Sequence, residues 1–101
     1  MRDEFSALKV ESERNRIAFL QTELSVCSTL IELATTEYQT GHQEAAERSF
    51  QHAEVGHATL IRFLSDPLHL RHLTPKELTE FTDGAYDIRK RLDAVKRRFR
   101  R

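Results

Sequence analysis

Ala34 to Ala53 reads A-T-T-E-Y-Q-T-G-H-Q-E-A-A-E-R-S-F-Q-H-A, and this stretch decides the fold. It predicts a helix, a tight turn at Gly41 and a second helix. Gly41 reaches positive φ without steric cost, and Thr40 with Gln43 three residues on has the form of a capping box. Beyond the turn Ala46, Phe50 and Ala53 follow at spacings of four and three. A small residue, a large ring and a small residue then share one face, which lets two antiparallel helices approach closely.

Towards the N-terminus, Leu20, Leu24, Cys27, Ile31, Ala34 and Tyr38 alternate steps of four and three, the signature of a helix stripe. Phe19, Val26, Leu30 and Leu33 form a second row beside it. The two rows span roughly 200° at 100° per residue, more than one neighbouring helix covers. Residues 1–16 are mostly polar and read as an N-terminal helical extension, with 17–101 as the folded body. Towards the C-terminus, a helix from about His42 to Leu64 carries Ala46, Phe50, Ala53, His57, Leu60 and Leu64 inward. Ser65-Asp66-Pro67 stops it, because proline cannot continue the hydrogen-bond ladder, and Asp66-Pro67 can open a short helical turn. Thr74-Pro75-Lys76-Glu77 is a complete helix start, with an N-cap, a proline at the first position and a capping-box glutamate. From there Leu78, Phe81, Ala85, Ile88, Leu92, Val95 and Phe99 keep the three-four spacing on a stripe about 100° wide. Three helices of similar length with short connections predict an all-α fold, an antiparallel up-down-up three-helix bundle.

The Gly41 turn with Ala46, Phe50 and Ala53 resembles the tetratricopeptide repeat, in which such a glycine is followed five, nine and twelve residues later by Ala, an aromatic and Ala. Leu33 and Ala34 fall where that pattern has a leucine and a small residue. The aromatic of the pattern at Glu37 is shifted to Tyr38, that at Gln43 is missing, and no second repeat follows. A single hairpin closed by a third helix is similar in outline to the microtubule-interacting-and-trafficking domain, which residues 24–98 fit. Both families bind peptides or helices in grooves between helices, so the resemblance implies an interaction module.

Composition points the same way. Charged residues make up 32% of the chain and apolar ones 39%, a well-solvated helical makeup too apolar for disorder. A single cysteine excludes an intrachain disulfide and fits a reducing, cytoplasmic setting. No apolar run is expected to span a membrane. Catalysis finds no support. Cys27 sits in an apolar stripe without a basic neighbour, and neither a nucleophile elbow nor a Gly-rich phosphate loop is present. Glu54-Val-Gly-His57 has the spacing of one half of a di-iron site, but that site needs the motif twice and two further glutamates. No metal, cofactor or catalytic residue is therefore expected. His69 and His72, three apart, read as a polar loop, with added metal ligands at a dimer contact as the alternative.

Formal charge balances at sixteen against sixteen, yet from Arg89 onward eight basic residues face one acid. Arg89, Lys90, Arg91, Lys96, Arg97, Arg98, Arg100 and Arg101 complement a helix C-terminus, and their number suits an acidic partner or a polyanion. The expected function is a non-enzymatic helical protein–protein interaction module, an adaptor or small regulatory subunit. Its contact row is Phe19, Val26, Leu30 and Leu33, packed on a second copy or on a partner's helix. The alternative cover for this row is Phe5 and Leu8 folded back in the same chain. The alternative function is a nucleic-acid-associated protein using the basic helix end.

Overall fold

A computed structural model describes the backbone of residues 2–100 and the side chains of residues 14–100. The chain is all-helical, and no strand occurs among the described residues. Four helices follow in order: α1 Arg2–Gln39, α2 Gln43–Leu64, α3 Pro67–Leu70 and α4 Pro75–Phe99. At 1.5 Å per residue α1 is about 57 Å long, against about 33 Å for α2 and about 38 Å for α4. The longest dimension of the molecule is 59 Å, so α1 alone sets it.

Gly41 behaves as its sequence context predicts, with φ +82°. Its N–H donates to Tyr38 O (3.3 Å) and that of His42 to Glu37 O (2.8 Å). These two bonds form a Schellman motif, which satisfies the last carbonyls of α1. The same motif overturns the expected Thr40–Gln43 capping box. Thr40 closes α1 instead: its hydroxyl donates to Thr36 O at 2.9 Å, and the N-cap of α2 falls on His42, which offers no side-chain cap bond. The start of α4 is as expected. Glu77 N–H donates to Thr74 Oγ1 (3.1 Å) and Thr74 N–H to Glu77 Oε1 (2.8 Å), with Pro75 at the first position. Asp66 caps the short α3 by accepting from Leu68 N–H at 2.9 Å.

The core joins α1, α2 and α4. Leu20, Cys27, Ile31 and Ala34 of α1 meet Ala46, Phe50, Ala53 and Leu60 of α2 and Phe81, Ala85, Ile88, Leu92 and Val95 of α4, all buried. Every one of them belongs to a stripe read from the sequence. Two glycines mark close approaches, as their lack of a side chain permits. A Cβ on Gly56 would stand 2.6 Å from Cys27 Sγ, and one on Gly84 would stand 3.0 Å from both Leu24 methyls. Along α1, the pairs Phe19–Phe63, Cys27–Ala53 and Tyr38–Glu47 run in opposite senses on α1 and α2. Leu24–Gly84, Ser28–Arg91 and Tyr38–Phe99 run in the same sense on α1 and α4.

One expectation about α1 changes. Arg14–Gln39 holds an 18-residue stretch of mean hydropathy 1.3, long and apolar enough to cross a membrane by length and composition alone. Summed apolarity does not separate that case from a core helix, and Leu20, Cys27, Ile31 and Ala34 of this segment are buried against its neighbours.

Candidate interaction surfaces

The second row of α1 keeps much of its surface. Phe19 is 37% exposed, and Val26 and Leu33 are each 46% exposed. Leu30, between them in sequence, is half-buried and packs against the core. The wide apolar arc of α1 is the cause. α2 takes one side of it, through Gly56 against Cys27 and through the buried Ser49, whose hydroxyl donates to Glu37 Oε1 at 2.6 Å. α4 takes the other, through Gly84 against Leu24. The row lies outside both contacts, along the flank of α2, where Phe19 leans on Phe63 with ring centroids 5.3 Å apart. Cover by Phe5 and Leu8 lies outside the described side chains.

The basic end of α4 divides into two groups. Three of its arginines tie helices together. Arg89 donates in fork geometry to both carboxylate oxygens of Glu54 on α2 at 2.9 Å and also meets Asp93 at 2.9 Å. Arg91 donates to Ser28 Oγ on α1 at 2.8 Å. Arg100 reaches Glu47 near the start of α2 at 3.2 Å and lies over the Phe50 ring at 4.4 Å. Spacing along α4 discloses the Arg89–Asp93 pair, four residues apart, but nothing local discloses partners on other helices. Lys90, Lys96, Arg97 and Arg98 are exposed; Lys90 lies over Tyr86 at 5.8 Å and Arg98 over Phe99 at 4.7 Å. Arg101 lies outside the described residues.

Arg89 also bears on the protonation of its neighbours. The Arg89 guanidinium holds the Glu54 carboxyl below its usual range. Burial, then the charge of Arg89, pushes His57 down. Glu54 is thus committed to an ion pair with Arg89, while His57 is disfavoured as a cation. No group of three possible metal-ligating side chains occurs among the described residues. Burial and the bond donated to Glu47 (2.6 Å) raise Tyr38 to about 12. Cys27 is sealed, with Sγ 3.8 Å from Ala53 O, and burial followed by nearby Glu23 pushes its thiol up. The opposite of an activated nucleophile results.

The described surface also carries hollows. A groove of about 410 Å³ between α1 and α4 is lined by Ile31, Thr35, Arg91, Val95, Arg98 and Phe99 among others. A hollow of about 310 Å³ lies where α2 meets α3. There His69 stacks on Phe63 at 3.8 Å, its Nε2 3.7 Å from Asp66. No protein-family profile matches the chain, and comparison with curated proteins and with solved structures finds none similar to it.

Proposed function

We propose that the chain is a non-enzymatic helical interaction module, an adaptor or small regulatory subunit that self-associates or receives a partner's helix along α1. The observation that carries this reading is the row Phe19, Val26 and Leu33, apolar and more than a third exposed beside a filled core. Contiguous exposed apolar surface marks contact sites. The arrangement that presents the row is an antiparallel up-down-up bundle of α1, α2 and α4, supported by the opposed and concurrent pairings along α1. The Gly41 hairpin, which resembles a tetratricopeptide unit, supports the same reading through its packing positions. A reducing, cytoplasmic setting is proposed with it, in keeping with the single buried thiol.

The basic helix end favours a supporting role over a nucleic-acid surface. Arg89, Arg91 and Arg100 are engaged with other helices, which leaves fewer cations to neutralise phosphates. Light scattering on the parent and on the Leu30→Glu, Leu33→Glu double variant tests the reading. The parent is expected to exceed monomer mass and the variant to fall to it, with the helical circular dichroism retained. Equal masses above the monomer would show that association does not use this row.

A further inference from the structure

Phe19, Val26 and Leu33 follow one another at intervals of seven. That spacing suits a helix as the occupant, because a seven-residue repeat keeps one face against a second helix in a shallow left-handed supercoil. The flank narrows the choice. α2 walls one side of the row through Phe63 at Phe19 and Ser49 at Glu37, so a bare helix fits there better than a helix carrying its own bundle.

The chain owns such a helix. At 38 residues α1 outruns α2 and α4, at 22 and 25, and its helical backbone begins at Arg2, well before Ile17. The turns that precede Ile17 therefore span about 22 Å at 1.5 Å per residue. From Phe19 to Leu33 the row spans about 21 Å by the same rise. An isolated helix of that length is marginal in water and gains from a partner. In the sequence, counting back by sevens from Phe19 reaches Ser12 and then Phe5.

We infer that a second copy covers the row in an antiparallel, two-fold pairing of α1 with α1, centred near Phe19. The leading turns of each copy lie along Val26 to Leu33 of the other. The inference rests on the reading of this row as a helix-contact surface and adds its occupant and direction. An isologous contact of this kind closes on itself and stops at two copies. It also sets the two bodies at opposite ends of the pair, where α2 and α4 of the copies do not collide. Parallel pairing would bring both bodies to one level and press α2 against its neighbour.

The test uses the full chain with Gln39→Cys, an exposed position at the end of α1, carrying a nitroxide label. Cys27 is fully buried and stays unlabelled, which the parent protein checks. Light scattering is expected to give a dimer that Leu33→Glu dissolves while helicity is kept. Pulsed electron-spin measurements are expected to give a label separation of about 60 Å, from twenty residues beyond the centre on each side. A dimer dissolved by Leu33→Glu but with labels within about 35 Å, as adjacent parallel helices require, overturns the antiparallel arrangement and leaves the contact row standing. A dimer indifferent to Leu33→Glu overturns both. A monomer at every concentration overturns self-pairing and leaves a different protein's helix as the occupant.

Discussion

Gly56 is small because Cys27 occupies the space beside it. A Cβ there would stand 2.6 Å from Sγ on a sealed side chain, whereas at Gly84 it would meet the methyl ends of Leu24 at 3.0 Å. The difference gives a ranked prediction. Gly84→Ala is expected to be nearly neutral, since the helix propensity gained, about 1 kcal/mol, offsets a small shift of Leu24. Gly56→Leu is expected to cost about 1–3 kcal/mol despite its better propensity. Denaturant titration measures both, and the reverse order would show that α1 and α2 do not touch at Cys27. Titratable residues add a second prediction. Tyr38 is raised to about 12, so the folded state holds its proton more tightly than the unfolded chain. Its contribution is complete below the ordinary tyrosine value of about 10 and is lost as pH climbs towards 12. His57 and Glu54 are lowered, so theirs is present above their ordinary values and is lost as pH falls through the lowered ones. Thermal melts across pH should show a plateau near neutrality with decline on both sides, and Tyr38→Phe should flatten only the alkaline limb.

Among the elements, α4 shows which parts of the structure were legible beforehand. Its start was readable because Thr74, Pro75 and Glu77 act on backbone within one turn. Its buried face was readable because Phe81, Ala85, Ile88, Leu92 and Val95 repeat with the helix period. The ties from Arg89 to Glu54 and from Arg100 to Glu47 were not readable, since the residues of each pair are distant in sequence and no periodicity links them. Thr40 failed for a related reason: two residues of displacement, from Thr40 to His42 and set by the Schellman bonds, turned a candidate N-cap of α2 into the cap of α1. The exposed row on α1 was visible as excess apolar width, although the half-burial of Leu30 depends on how α2 settles. The Arg89 fork is expected to matter modestly. Both partners are about a third exposed, so Arg89→Ala should cost about 1 kcal/mol, near the upper end for surface ion pairs. A loss that persists in Glu54→Gln, measured by a double-mutant cycle, would assign the effect to the arginine stem and not to the pair.

For the whole molecule the distribution of charge matters more than its sum, which is zero. Changing Arg97, Arg98, Arg100 and Arg101 to Gln should leave the helical signal intact while removing, among other contacts, the Arg100–Glu47 tie, worth no more than about 1 kcal/mol. Binding to heparin, as a test polyanion, should weaken and lose part of its salt dependence; an unchanged salt slope would assign these arginines to the solvated end of α4 alone. The sealed thiol offers a different kind of use. Cys27 is the chain's one cysteine and is wholly inaccessible between α1 and α2, so a thiol reagent reaches it only when those helices part. Under native conditions its modification rate becomes a stopwatch for that opening. Slowing of the stopwatch as protein concentration rises would report, from inside the core, any association that stabilises the closed form.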